Sequence, residues 1–203
     1  AVMAERERLA GPLARSRWDG LGCGFAGYDP ARHPGARRAR EAAMEYAAGR
    51  PPAHGLVLIG PMGLGKTRLL LASHFALLAA GIASRYATTS DLRPLFRAAG
   101  SYDGAARLEA EQTLAALRRA QALLLDDLGD VEDDGRRRGE FAEGLKALRD
   151  GSGAAWAVAT NCGIDEAERH PDLGKKILDR LFDGAVVVPM VGESQRKPAE
   201  VRR

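Results

Sequence analysis

The stretch Gly60-Pro61-Met62-Gly63-Leu64-Gly65-Lys66-Thr67 decides the fold of this chain. It follows the pattern G-x-x-x-x-G-K-[ST] without deviation. An apolar run, Gly55 to Ile59, precedes it, and a periodic apolar segment, Lys66 to Ala80, follows it and stops at Gly81. Strand, glycine-rich turn and helix in that order make a phosphate cradle. Glycines let the backbone curl until its N–H groups face inward, and the helix N-terminus adds its positive end. Lys66 is expected to reach the β- and γ-phosphates of a nucleotide. The Thr67 hydroxyl is expected to ligate Mg²⁺.

Outward from this loop, strands and helices alternate. Strands are expected at Ile82 to Thr88, Ala122 to Leu125, Ala154 to Ala159 and Ala185 to Met190. Helices are expected over 35–49, after Ser90 or Asp91 as cap, over 105–120, over 139–149 and from Gly174 to Phe182. A short helix is also expected from Ala4 to Ser16, and the glycine-rich segment Trp18 to Tyr28 reads as loop. Five apolar strands separated by helices imply a parallel sheet covered on both faces. Residues 1–30 then form an N-terminal segment, partly loop, and residues 31–203 form the nucleotide-binding core.

The third of these strands closes in Asp126-Asp127-Leu-Gly129. In a parallel sheet the C-terminal strand ends line the ligand crevice. Asp126 is expected to hold Mg²⁺ through its water shell, and Asp127 to polarise an attacking water. An Asp is a shorter base than the Glu of fast motor ATPases, so slow turnover, or hydrolysis that waits for a partner, is expected.

Composition narrows the remaining classes. The chain has 203 residues, 45% of them hydrophobic and 28% charged, which excludes wholesale disorder and collagen-like repeats. The formal net charge is only +3, too small an excess to imply nucleic acid. Arg far outnumbers Lys, a bias that more often reflects genome base composition than phosphate recognition. Cys23 and Cys162 show no ligand spacing. His33, His54, His74 and His170 are scattered, and His74 is expected to be a packing residue. No apolar run reaches the roughly 18 residues of a membrane span, and no signal-peptide plan opens the chain. A cytoplasmic protein is expected, and the opening Ala-Val-Met is compatible with a fragment. Two basic clusters, Arg37, Arg38 and Arg40, and Arg136-Arg137-Arg138, lack interleaved aromatic residues, so stacking on single strands has no local support.

The phosphate loop, Leu123-Leu-Leu-Asp126-Asp127-Leu-Gly129, Ala159-Thr-Asn161, Ile177-Leu-Asp-Arg180-Leu and Gly192-Glu-Ser194-Gln-Arg196 occur in one order. That order resembles the DnaC/IstB group of AAA+ ATPases, which contains helicase loaders and transposition helper ATPases. The resemblance covers about residues 20–197. It implies a P-loop NTPase three-layer α/β sandwich with a five-stranded parallel sheet of order 5-1-4-3-2 and no C-terminal helical lid. It implies ATP or ADP with Mg²⁺ as ligands, held by Gly60 to Thr67. Asn161 matches the polar sensor that orients the attacking water. Arg180 matches the arginine that reaches the nucleotide of a neighbouring subunit. Arg196 matches a second sensor on the γ-phosphate. Phe25, Gly27 and Tyr28 fall on the approach to the adenine, where aromatics such as Tyr28 either stack or pack on the base or, equally, pack into the core. The implied task is ATP hydrolysis in a self-associating assembly that loads a replicative helicase onto single-stranded DNA in DNA replication. The alternatives are a transposition helper acting on duplex DNA with a transposase, and an ATP-bound adaptor that hydrolyses little. A small-molecule kinase would share the phosphate loop, but the Asp-Asp-Leu-Gly and Asp-Arg-Leu series argues against it.

Overall fold

The computed structural model describes residues 24–49, 52–129, 139–161, 174–192 and residue 194. The elements run as a 3₁₀ turn (Phe25–Gly27), α1 (Ala36–Ala48), β1 (Gly55–Ile59), α2 (Lys66–Ala79), β2 (Ser84–Thr88), α3 (Thr89–Ala99), α4 (Gly104–Arg118), β3 (Ala122–Leu128), α5 (Glu140–Asp150), β4 (Ala155–Thr160), α6 (Gly174–Phe182) and β5 (Ala185–Pro189). The expected helix from Ala4 to Ser16, the Arg136 to Arg138 cluster, His170, both cysteines and Arg196 lie outside the described residues.

All four strand pairings are parallel, and the sheet order is β2-β3-β4-β1-β5. This is the expected 5-1-4-3-2 order read from the opposite edge. Helices cover both faces because the sheet presents buried apolar side chains on both sides. One core cluster joins Leu56, Leu58, Leu124, Ala157 and Ala159 of the strands to α1 and α2. The other joins Val57, Leu123, Leu125, Trp156 and Val158 to α3, α4, α5 and α6. The alternation along each strand therefore assigns each residue its layer.

Three local departures from the sequence reading have physical causes. The helix after β2 begins at Thr89, and its cap is Thr88 rather than Ser90 or Asp91. Thr88 accepts a hydrogen bond from the Asp91 N–H, and the Asp91 carboxylate reaches back to the Thr88 N–H, a reciprocal capping box. The strand expected to end at Leu125 continues to Leu128, so both aspartates lie within β3, where the register against β4 breaks between Leu125 and Leu128. The three arginines of α1 do not share a role. Arg37 and Arg38 are exposed, whereas Arg40 is half-buried and its Nε donates to the Phe25 carbonyl at 3.0 Å, tying the N-terminal turn to the helix.

Candidate nucleotide site

The loop from Gly60 to Gly65 joins β1 to α2 at the C-terminal end of the sheet. Gly60, Gly63 and Gly65 have φ of +153°, +85° and +89°, conformations that L side chains rarely adopt. Space forbids a side chain as well. A Cβ at Gly60 would lie 2.1 Å from the Met190 carbonyl oxygen, and one at Gly63 would lie 2.1 Å from the Ser194 Oγ. The loop is thus wedged against the chain that follows β5, which brings Ser194 of the Gly-x-Ser-x-Arg series onto it.

Lys66, the first residue of α2, is only 6% exposed. Its Nζ donates to the carbonyl oxygens of Gly60, at 2.6 Å, and Pro61, at 2.8 Å. The ammonium is thus folded back onto carbonyl oxygens of its own loop. Thr67 follows in the first turn of α2 and is half-buried. Met62 is exposed at the loop crest.

Asp126 projects from the same sheet face as Leu124, toward α2, and is 1% exposed. Two donors hold its carboxylate. The Tyr86 hydroxyl donates to Oδ2 at 2.7 Å, and the Asp127 N–H donates to Oδ1 at 2.9 Å. Asp127 is half-buried at φ +56°, the sole non-glycine residue with positive φ among those described. Thr160 ends β4 and pairs in register with Ile59 of β1 and Leu128 of β3. Asn161 follows it directly. Gly60 donates its N–H to the Thr160 carbonyl at 3.2 Å. The phosphate loop, the acidic strand end and Asn161 therefore meet on adjacent strands at one end of the sheet.

Two expected residues sit elsewhere. Tyr28 is 2% exposed. Its ring packs under the loop, where a Cβ on Gly65 would lie 2.8 Å from Cε2. Its hydroxyl donates to the Leu64 carbonyl at 3.1 Å and lies 3.2 Å from His33 Nε2, which is itself 3.2 Å from the same carbonyl. Burial pushes the Tyr28 phenol up to about 12, with Arg32 lowering it and Asp29 raising it, so it stays a donor at neutral pH. Tyr28 braces the loop from below rather than offering a face to a base. Arg180 is half-exposed near the C-terminal end of α6 and forms an ion pair with Asp150, the last residue of α5. Both helices return antiparallel to the strands, so these ends lie toward the strand N-termini, away from the chain's own phosphate loop.

The residues present suit a Mg²⁺–nucleotide. Thr67 and Asp126 supply hard oxygen donors, as magnesium requires, and three positive-φ glycines curl the loop backbone ahead of the α2 N-terminus, as a phosphate cradle needs. Among the described residues no group of three or more His, Cys, Asp or Glu could hold a metal ion by itself. The ion would therefore take most of its ligands from phosphate and water.

Comparison with known proteins agrees with this geometry. The family described as IstB-like ATP-binding protein matches residues 51–202. The chain belongs to that family. Solved structures match this chain in fold. DnaI is similar with a TM-score of 0.65 at 22% identity, over 85% of this chain and 90% of that one. The DnaC helicase loader is similar with a TM-score of 0.66 at 20% identity, over 83% and 97%. AMPPCP-bound DnaA from Aquifex aeolicus is similar with a TM-score of 0.59 at 17% identity, over 81% of this chain and 51% of that chain. No curated protein matches the chain. No described helix is long and apolar enough to cross a membrane.

Sequence reasoning missed Tyr86, Thr89, Thr160, His33 and Ser194 as neighbours of the site. None belongs to the loop pattern, and each reaches the site from another strand or connection.

Proposed function

We propose that this IstB-like protein is a Mg²⁺-dependent ATPase whose site is completed by a second copy of the chain, and that its cycle loads a replicative helicase onto single-stranded DNA. The observation that carries the hydrolytic part is the convergence of Lys66, Asp126, Asp127 and Asn161 at one end of the sheet. In this reading the Lys66 ammonium leaves the Gly60 and Pro61 carbonyls for the β- and γ-phosphate oxygens. Both are oxygen acceptors, so the exchange keeps the buried cation paired. Thr67 and, through water, Asp126 would hold a magnesium ion, which would supply neutralisation of the charge on the phosphates. Asp127 accepts a proton from the attacking water. The Asn161 amide orients that water, since it both donates and accepts. Arg196 is assigned to the γ-phosphate in the same chain.

Arg180 supports the shared site. Its helix end faces away from its own loop, a placement that suits the nucleotide of a neighbour, where a guanidinium released from Asp150 would stabilise the transferring phosphoryl group. Oligomer formation, cytoplasmic location and DNA contact belong to the same proposal. The DnaC and DnaI likenesses favour a helicase as partner. The family match to IstB-like ATP-binding proteins favours a second reading, a transposition helper that engages duplex DNA and a transposase.

The test is ATP hydrolysis measured against protein concentration, with no DNA, with single-stranded DNA and with duplex DNA. A specific rate that climbs with concentration and further with single strands supports the loader reading. Stimulation by duplex alone favours the transposition reading. A flat rate indifferent to both would refute the shared site.

A further inference from the structure

The end of β3 is an unusual piece of backbone. Its register with β4 breaks between Leu125 and Leu128, and Asp127 holds the left-handed φ of +56°. An L residue rarely adopts that region, and such conformations persist only where the surroundings over-determine them. Three hydroxyl groups from the flanking strands do so here. The Thr89 Oγ1, one residue beyond β2, donates to the Asp127 carbonyl at 3.0 Å. The Thr160 Oγ1, the last residue of β4, donates to the Leu128 carbonyl at 2.6 Å. The Tyr86 hydroxyl, from β2, donates to the Asp126 carboxylate at 2.7 Å. Tyr86, Thr89 and Thr160 are 4%, 0% and 1% exposed, so water cannot replace these donors without rearrangement.

We propose that Tyr86, Thr89 and Thr160 are positioning residues that set the acidic pair of β3 for catalysis. The inference rests on the ATPase reading of the site and deepens it. Tyr86 and the Asp127 N–H occupy one lone pair on each oxygen of Asp126. The carboxylate is thereby fixed in rotation, with its remaining lone pairs available to the water shell of magnesium. Partners of this kind behind a metal-binding carboxylate typically alter metal affinity 10- to 100-fold when removed. Thr89 and Thr160 act on the peptide rather than the carboxylate. They clamp the two carbonyls that follow the bulge, and so hold Asp127 in the one conformation that the turn allows. Thr160 also precedes Asn161, so a single residue ties the water-orienting amide to the acidic turn.

The two arms separate experimentally in the full chain. A fluorescent ATP analogue is titrated in EDTA and across a Mg²⁺ series, and steady-state kcat and KM are measured. Tyr86→Phe should bind the analogue like the wild type in EDTA, yet require about tenfold more Mg²⁺ for half-maximal binding. Thr160→Val should keep Mg²⁺–nucleotide affinity within about twofold and lose about tenfold in kcat, and Thr160→Ser, which restores the hydroxyl, should recover it. A merely structural role would lower the melting temperature and leave the Mg²⁺ midpoint and the kcat-to-KM split unmoved. The proposal is overturned if Tyr86→Phe titrates with Mg²⁺ like the wild type, or if Thr160→Val loses thermal stability alone. A wild-type chain that binds no nucleotide removes the ATPase reading itself and the proposal with it. If the wild type binds but does not turn over, the Mg²⁺ midpoint of Tyr86→Phe still decides.

Discussion

Acidification should destabilise this protein through one buried imidazole. His74 lies in the middle of α2 and is fully buried. Its Nδ1 is 2.8 Å from the Ser84 Oγ, its ring leans on Tyr86 with centroids 6.2 Å apart, and its Nε2 is buried without a hydrogen-bond partner among the described residues. A neutral ring can leave Nε2 as a bare lone pair, but the imidazolium would have to bury an N–H with no acceptor. Burial, and secondarily the charge of Arg85, push the His74 pKa down from 6.5 to about 4. The unfolded chain therefore binds a proton that the folded chain refuses. A depressed folded pKa means that the stability contribution is complete above pH 6.5 and is lost progressively as pH falls toward 4. With these two values the loss at pH 5 is about 2 kcal/mol. For a chain of this size that is a fall of about 4–8 °C in melting temperature. Other carboxylates also titrate in this window, so the measurement is a difference. Urea unfolding of the wild type and of His74→Asn, which keeps a polar atom near Ser84 but does not titrate, is compared at pH 8 and pH 5. The variant should be less stable at pH 8, and its deficit should shrink by about 2 kcal/mol at pH 5. A deficit that is the same at both pH values would refute the account of His74.

Further predictions concern the site and the packing beside it. Lys66→Ala should abolish nucleotide binding, because the phosphates lose the cation that the N-terminus of α2 places in the loop; a fluorescent-nucleotide titration that stays saturable would contradict this. Arg180→Ala should spare binding and remove hydrolysis, and mixing it with Lys66→Ala should restore turnover at composite sites; normal hydrolysis by Arg180→Ala at high protein concentration would defeat the shared-site model. Gly144→Ala in α5 should destabilise the fold by about 1 kcal/mol, since overpacking of about 1–3 kcal/mol outweighs the roughly 1 kcal/mol gain in helix propensity. The added Cβ would lie 2.4 Å from a Phe96 ring carbon, and that ring is stacked on Phe141 with centroids 5.6 Å apart; a raised melting temperature would mean that Phe96 yields freely. Thr88→Ala should lose about 1–2 kcal/mol by opening the α3 capping box, and Thr88→Ser should recover most of it in thermal melts.

The phosphate loop was legible because its determinants are contiguous. Three glycines, a lysine and a threonine in eight residues carry both the backbone shape and the charge, and the flanking apolar runs declare the strand and the helix. The layer architecture was legible for a similar reason, since apolar strands alternating with helices leave few ways to bury both faces of a sheet. The extent of β3 was not. Its two aspartates look like a strand end followed by a turn, and only the neighbouring strands extend the pairing, Thr88 of β2 beside Asp126 and Thr160 of β4 beside Leu128. Tyr28 leaves base contact and core packing equally open in the sequence, and the close approach allowed by Gly65 decides for packing beneath the phosphate loop. Arg180 has acidic neighbours on both sides in the sequence, Asp179 and Asp183, but its partner is Asp150, which only the packing of α5 against α6 brings within reach.

What the chain determines by itself is therefore the local chemistry: a nucleotide-phosphate loop at a strand-to-helix turn, and an acidic pair at the end of a buried strand. Those features depend on neighbours a few residues away, where dihedral preference and periodicity dominate. The tertiary structure alone decides how the acidic pair is aimed. Its donors come from Tyr86, Thr89 and Thr160, more than thirty residues away along the chain, and a hydroxyl carries no sequence signal of the carbonyl or carboxylate it will meet. Such pairs form only once the parallel register of β2, β3 and β4 has been set, because burial then requires each polar group to be satisfied by those brought alongside it.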